Sequence, residues 1–484
     1  MGIRFGSKKN FSIKDISSAR DIALFVLLEI TENKRKSNTI LKETFENAKR
    51  TEGAVADGGN SGAQGSNAPG IGKADRAFIE RLVIGTLDRM ITIDAVLNRF
   101  LAKPVKSQKP VIRGILRISV YQLMYMDRVP ESAAVNEAVK LTKLHGMEGL
   151  SGLVNGVLRN ISRELSSGGK KVTEFNSASE RYSLPAWLCS YIEKDCGKEK
   201  AEEIFKAYLM ERSETLRFNL SCTGIDDAEN AEALILSELK ADGLAVRRID
   251  MKALIAEAGV PMPAGRLPVM YELTEGGDIT CSEAFKKGHI IVQDPSSALL
   301  ISYAAPSEKD FVLDVCAAPG GKTLAAAEHM NGKGRIEARD ISRAKTSLIE
   351  ENVKRCGYKN ISVRMLDALT EDEDSFYRAD VLLADLPCSG LGVIAKKPDI
   401  KFNLEEYSIE ELSGLQRDIL SNVSRFVKPK GRLIYSTCTI SRAENEDNVS
   451  WMEQNLGLEK VTTARLLPGR DHDGFFIAVM KKRY

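Results

Sequence analysis

Asp314-Val-Cys-Ala-Ala-Pro-Gly-Gly-Lys-Thr323 follows the apolar run Phe311-Val-Leu and leads into Thr323-Leu-Ala-Ala-Ala-Glu, which favours helix. A strand, a small-residue turn and a helix in that order bring backbone N–H groups and a helix N-terminus to a ligand at the carboxyl edge of an open α/β sheet. Two common alternatives fail on spacing. A dinucleotide fingerprint needs G-x-G-x-x-G, which this stretch lacks. A Walker A loop needs G-x-x-x-x-G-K-[ST]; Gly321-Lys322-Thr323 fits, but Cys316 stands where the first glycine belongs. That near miss argues against an NTPase.

The same unit repeats downstream. Arg335-Ile-Glu-Ala-Arg reads as a second strand ending on Asp340, and Ile361-Ser-Val-Arg-Met-Leu as a third ending at Asp367. Val381-Leu-Leu-Ala reads as a fourth ending on Asp385, and Arg343 to Cys356 as one of the helices between them. One Asp after a strand more often caps the next helix than binds anything. Four acids, Asp314, Asp340, Asp367 and Asp385, at the ends of successive strands weigh differently. An acid after the second strand is where an adenosine ribose is held through its hydroxyls. An acidic crevice also suits a ligand with a positive charge and no phosphates, and S-adenosyl-L-methionine is such a ligand.

Two cysteines stand in similar settings. Cys388, in Asp385-Leu-Pro-Cys-Ser-Gly, follows Asp380-Val-Leu-Leu-Ala; Cys438, in Ser436-Thr-Cys-Thr, follows the apolar run Gly431-Arg-Leu-Ile-Tyr. Each alone is more often an ordinary buried thiol. Beside the first motif they read as two thiols just beyond the carboxyl ends of strands, where they could meet in the ligand crevice. One thiolate there is a strong nucleophile, and a second acid or base beside it suits a covalent intermediate that forms and must break.

These three motifs, with Glu444-Asn-Glu after the second cysteine, Gln293-Asp-Pro-Ser-Ser before the first strand and Lys397-Pro-Asp-Ile-Lys, resemble the RNA cytosine-C5 methyltransferases of the Nol/Nop/Sun family, and most closely its bacterial 16S rRNA branch, the RsmB (Sun/Fmu) type. One departure is Leu386, where the family carries a small residue; a reshaped base pocket is the expected consequence. The resemblance implies Cys438 as the nucleophile that adds to cytosine C6, making C5 reactive towards the sulfonium methyl. Asp385 is implied to hydrogen-bond the N3–N4 edge of the base, and Cys388 to serve the release step. Lys322 is implied to orient Asp385 or the base. For the cofactor, the resemblance implies Asp340 on the ribose, Asp367 on the adenine, and the segment Cys316, Ala317, Ala318, Pro319, Gly320, Gly321 and Lys322 around the methionine part, with Asp385 close by. No metal is expected.

The length of 484 residues exceeds one core and implies several domains. Residues 1–170 read as all-helical, with periodic segments from Asp15 to Ile30, Arg76 to Arg89 (capped by Asp75), Glu131 to Leu144 after Pro130, and Leu153 to Arg163. Ser132-Ala-Ala-Val-Asn-Glu-Ala-Val-Lys and Val154-Asn-Gly-Val-Leu-Arg resemble the NusB-type RNA-binding helical domain, which RsmB-type enzymes carry at their N-terminus. Within it, residues 51–73 are rich in Gly, Ala, Ser and Asn and predict a flexible insertion. Residues 174–290, after the linker Ser166-Ser-Gly-Gly-Lys-Lys, read as a small α+β domain, with helices opened by Leu184-Pro-Ala-Trp and over Ala201 to Arg212 and Ala231 to Leu239. Its strands fall at Leu216 to Leu220 and Ile290 to Gln293. The resemblance gives this domain a share in the RNA groove. Residues 291–484 form the α/β Rossmann-like methyltransferase domain.

The hydrophobic share of 43% and charged share of 28% are ordinary for a globular chain, and no apolar run is long enough to span a bilayer. The N-terminus has charge but no apolar signal core, and eight scattered cysteines with four histidines give neither a disulfide framework nor a zinc site. A cytoplasmic monomer that binds neither membrane nor metal is expected. The net charge of +2 does not by itself indicate a nucleic-acid binder. Lys396, Lys397 and Lys401, following the Cys388 loop, are the expected phosphate contacts, and a target cytosine must leave its stack to reach a buried thiol. Three rivals stand. A DNA cytosine-C5 methyltransferase would use the Pro-Cys thiol as nucleophile and lack Cys438. A non-enzymatic RNA-binding factor would have lost part of the catalytic set. A tRNA or 23S rRNA specificity is disfavoured only by the helical N-terminal region.

Overall fold

The structure, a computed structural model, describes residues 18–56 and 71–484. The chain divides into two compact units: the described residues up to Lys194 with Lys397–Asn403, and Asp195–Lys396 with Leu404–Tyr484.

The first unit is helical. Ala19–Thr31, Lys73–Asp88, Met90–Phe100, Pro110–Tyr125, Glu131–Leu144 and Ser151–Ser166 pack around a core that includes Leu24, Leu27, Leu28, Ile112, Ile115, Leu116, Val154 and Leu158. Pro130 immediately precedes Glu131–Leu144, as its sequence predicts. The first helix starts at Ala19, where the Ser18 hydroxyl accepts from Asp21 N–H; the expected residues 15–17 lie outside the described residues. Asp75 does not cap Lys73–Asp88. Gly72 takes that position in extended conformation, and Asp75 sits in the first turn, where a carboxylate still favours the helix dipole.

The expected flexible insertion at 51–73 is corrected at both ends. Residues 51–56 complete the helix Ser37–Ala56, since a nucleated helix propagates at little cost through Ala and Glu. Ile71 is buried in the helical core, and its carbonyl accepts from Arg76 Nε at 3.1 Å; residues 57–70 lie outside the described residues. The unit also continues past residue 170 through the short helix Ala178–Tyr182 and most of Ala186–Cys196.

The second unit holds two sheets. The strands β1 (Thr215–Phe218), β2 (Ala245–Ile249), β3 (Met270–Glu275) and β4 (Ile290–Val292) form an antiparallel sheet in the order β2-β3-β1-β4. The strands β5 (Phe311–Asp314), β6 (Arg335–Asp340), β7 (Ile361–Met365), β8 (Ala379–Asp385), β9 (Val427–Thr437), β10 (Leu458–Leu466) and β11 (Phe475–Lys482) form a larger sheet in the order β10-β11-β9-β8-β5-β6-β7. Its first five strands in sequence are parallel, whereas β11 pairs antiparallel with both β9 and β10. This is an open α/β sheet whose strand order reverses at β5, the point where such sheets bind ligands. The helix Gly321–His329 follows β5, and Arg343–Cys356 follows β6.

Candidate active site

The carboxyl ends of β5, β6, β8 and β9 carry the residues singled out from sequence. The β5–helix turn is tight. Ala317 N–H donates to Arg339 O at 2.8 Å, Gly320 N–H donates to Ala317 O at 2.7 Å, and Ala318–Pro319 is a cis peptide. Gly320 has φ of 109°, a left-handed conformation that disfavours any side chain. Asp340 accepts Ala318 N–H at 3.0 Å and Ile341 N–H at 2.8 Å, and pairs with Lys345 at 3.0 Å. Its neighbour Ile341 is 57% exposed and offers an apolar face beside the carboxylate. Asp367 lies two residues beyond the end of β7 rather than on it, half-buried, and accepts Leu369 N–H at 3.0 Å.

Asp314 does not face the crevice. It is fully buried, accepts the Thr323 hydroxyl at 2.7 Å, and fixes the helix start against the strand end. Burial pushes its carboxyl up to about 7; the Thr323 hydrogen bond opposes this and the Asp385 charge adds to it. The Cys316 thiol is likewise raised, by burial first and then by Asp314, Asp340 and Asp385, which leaves it unreactive.

Lys322 and Asp385 form an ion pair at 2.7 Å, with the ammonium 5.2 Å from the Phe475 ring centre. Burial works against the Lys322 charge, but Asp385 outweighs it and holds the ammonium above its ordinary range, with Cys438 contributing in the same direction. Asp385 also accepts the Ser436 hydroxyl at 2.8 Å. Neighbouring strands β8 and β9 bring the two cysteines together, with Cys388 Sγ 3.4 Å from Cys438 Sγ. The contact with Cys438, then burial, then the charges of Cys438 and Glu444 push the Cys388 thiol well above its ordinary range. These influences favour the protonated form of Cys388, at a contact in which either sulfur can donate.

Glu444 and Asn445 carry a framework that the sequence reading did not resolve. Glu444 is buried; it accepts Ser389 N–H at 2.9 Å and Gln416 Nε2 at 3.0 Å, and takes the Ser389 hydroxyl as well. The Ser389 and Thr439 hydroxyls meet at 2.7 Å, and Gly392 N–H donates to Cys438 O at 2.9 Å. Asn445 accepts the Thr437 hydroxyl at 2.6 Å and donates to Thr439 O at 3.0 Å, gripping both neighbours of Cys438. The signal was the polar Glu444-Asn-Glu so soon after an apolar strand.

Three expectations change. Leu386 is buried in one core cluster with Leu313, Ala384 and Leu420, so its bulk fills the interior. Lys396 pairs with Asp294 at 2.6 Å and Asp473 at 2.8 Å, which neutralise it. Lys401 is 1% exposed and donates to Asp88 O at 2.7 Å, as a structural cation inside the helical unit. Of the three lysines expected to meet phosphate, Lys397 alone stays exposed.

The donor set fits a cationic, phosphate-free ligand. Three carboxylates stand at or just beyond the strand ends, Asp340 (which holds the loop at Ala318), Asp367 and Asp385, and the Lys322 ammonium is already neutralised by Asp385. Among the described residues no helix is long and apolar enough to cross a membrane.

Comparison with known proteins agrees with this geometry. The family model described as 16S rRNA methyltransferase RsmB/F matches residues 301–481, and that of the NusB family matches residues 17–163. The chain is 32% identical to "Probable ribosomal RNA small subunit methyltransferase B" of Bacillus subtilis (strain 168), over 96% of this chain and 99% of the relative. It is 29% identical to ribosomal RNA small subunit methyltransferase B of Escherichia coli O7:K1 (strain IAI39 / ExPEC), over 84% of this chain and 91% of the relative. Its fold is similar to the crystal structure of PH0851, with a TM-score of 0.71 and 24% identity, covering 98% of this chain and all of that one. With its NusB-like helices, its reversed α/β sheet and its paired thiols, the chain belongs to the ribosomal RNA small subunit methyltransferase B family.

Proposed function

We propose that the chain transfers a methyl group from S-adenosylmethionine to C5 of a specific cytosine in 16S rRNA through a covalent cysteine adduct. Family membership makes it a small-subunit rRNA methyltransferase that uses S-adenosylmethionine. The base, the ring position and the adduct are the finer reading. The observation that carries it is the 3.4 Å approach of two thiols beside the Lys322–Asp385 pair. A thiolate nucleophile with a second thiol at its side suits addition followed by elimination.

S-adenosylmethionine supplies an electrophilic methyl; Asp340, Asp367 and the loop Cys316–Gly321 hold it. Cys438, whose charge is favoured by nearby Lys322, adds through sulfur to C6 of the cytosine, and the ring electrons become available at C5. Asp385 accepts a hydrogen bond from the N4 amino group at the N3–N4 edge, and the Lys322 ammonium paired with it offsets the negative charge that develops in the ring, with Lys322 and Ser436 fixing the orientation of the carboxylate. Once C5 carries its new methyl, the C5 proton leaves to a base, the C6–S bond breaks and Cys438 departs as thiolate. Cys388, which keeps its proton, donates to that departing sulfur and so assists release.

Substitution separates the two thiols. Cys438→Ala should form no adduct, whereas Cys388→Ala should accumulate protein covalently attached to RNA on denaturing gels; the reverse pattern would exchange the roles. The substrate is tested by incubating the protein with methyl-labelled S-adenosylmethionine and unmodified 16S rRNA, 23S rRNA or tRNA, then mapping the label by nuclease digestion and mass spectrometry. One 5-methylcytosine in 16S rRNA is the expected result. Label confined to another RNA, or to another base, would overturn the reading.

A further inference from the structure

We propose that Gln293 is a cofactor-binding residue whose side-chain amide N–H donates to the amino-acid carboxylate of S-adenosylmethionine, next to the first turn of Gly321–His329. Gln293 follows β4 and is anchored through its backbone: its N–H donates to Thr215 O at 3.0 Å, and its carbonyl accepts the Thr215 hydroxyl at 2.9 Å. Its side chain is only 9% exposed, yet its amide nitrogen has no hydrogen-bond partner among the described residues.

The orientation of that amide is chemically determined. Arg217 Nε lies 2.8 Å from Gln293 Oε1, and a guanidinium has five N–H donors and no acceptor. The group facing it must therefore be the amide oxygen, and the nitrogen must point the other way. Arg217 is itself buried and pinned by an ion pair with Glu328 on Gly321–His329, so it cannot swing aside and let the amide flip. The direction left for Nε2 is towards Gly321: a Cβ built on that glycine would stand 3.8 Å from it.

The first residues of a helix present N–H groups with no carbonyl one turn earlier to receive them. Together with Gln293 Nε2, these form a cluster of donors that suits an anion. Of the charged groups of S-adenosylmethionine the carboxylate is the sole anion; the sulfonium and ammonium are cations and repel a donor. The cationic side chains nearby are committed, Lys322 to Asp385 at 2.7 Å and Arg217 to Glu328. Neutral donors must then carry the carboxylate, and Gln293 is the side chain placed to do so.

The inference rests on S-adenosylmethionine as cofactor and is independent of the thiol chemistry. It is tested by calorimetric titration of the full chain with S-adenosylmethionine and with decarboxylated S-adenosylmethionine. Gln293→Ala should weaken S-adenosylmethionine about tenfold, in line with the loss of one hydrogen bond to a charged group, and leave the decarboxylated analogue unchanged. Gln293→Glu retains an acceptor for Arg217 and sets a carboxylate against a carboxylate; it should cost the cofactor about a hundredfold, again sparing the analogue, and it serves if the alanine variant does not fold. Equal losses for both ligands, or no loss for either, would overturn the proposal. A wild-type chain that binds the analogue but not S-adenosylmethionine would overturn it too, and a chain that binds neither would overturn the cofactor reading with it.

Discussion

Cys388 and Cys438 sit at the ends of adjacent parallel strands, 3.4 Å apart, yet their surroundings differ in sign. The Cys388 loop is tied at Ser389 to the buried carboxylate of Glu444, which helps hold the Cys388 proton in place. The Cys438 segment lies near the Lys322 ammonium, which favours a negative sulfur. Two identical side chains are set in different charge environments, which suits the donor and nucleophile roles proposed for them.

The largest effect expected from breaking this asymmetry is at the nucleophile itself. Cys438→Ala should reduce methylation by ~10⁴-fold or more in a single-turnover assay with labelled cofactor. Lys322→Met removes the charge that favours the thiolate and frees Asp385 to turn. It should lower turnover by about 10²–10³-fold at saturating cofactor, with fold retained by circular dichroism. A drop confined to the apparent cofactor affinity would show that Lys322 serves binding instead.

On the other side, Glu444→Gln removes the charge that raises Cys388. The pH midpoint for alkylation of Cys388, followed by mass spectrometry, should fall, while that of Cys438 stays in place. Turnover should drop roughly tenfold as the Ser389 anchor weakens. Equal shifts at both thiols would mean that Glu444 acts on the whole site rather than on one side of it.

Asp314 sharpens the contrast, because its carboxyl is perturbed for structural reasons. Its folded value of about 7 lies above the ordinary value of 3.8, so the folded state holds a proton there that the unfolded chain has released. The stability this contributes is complete below about pH 4 and is lost as pH rises towards 7. Asp314→Asn should flatten that part of the stability–pH profile in thermal melts; an unchanged slope would remove Asp314 as its source.

The smallest effect separates two lysines that look alike in sequence. Lys401→Met strands Asp88 without its buried partner and should cost about 1–3 kcal/mol in unfolding. Lys397→Ala should leave stability unchanged and lower the salt dependence of RNA binding by about one charge.

Much of this was legible in the linear chain because it is periodic or local. The helix Arg343–Cys356, the strand Arg335–Asp340 and the helix Glu131–Leu144 coincide with the segments read from hydrophobic spacing and turn residues. Strands β2, β3, β10 and β11 were not foreseen. β11 is apolar without alternation, as a strand covered on both faces is, and such a run does not name its partners. Its place beside β9 nevertheless sets Phe475 against Lys322. Glu444 escaped for a related reason, since its carboxylate acts on residues of a different strand end.

By itself the sequence singled out the residues proposed to do the chemistry: the Cys316–Lys322 turn, the acids at the strand ends and the two thiols, all marked by short-range patterns of strand, glycine and helix. The tertiary structure alone decided what those residues are electrostatically. Burial made Asp314 a structural acid, ion pairing took Lys396 and Lys401 away from any phosphate, and Glu444 and Lys322 set charges of opposite sign near the two cysteines. Protonation and charge availability depend on solvent exclusion and on neighbours far away in sequence, and only the folded chain brings those together.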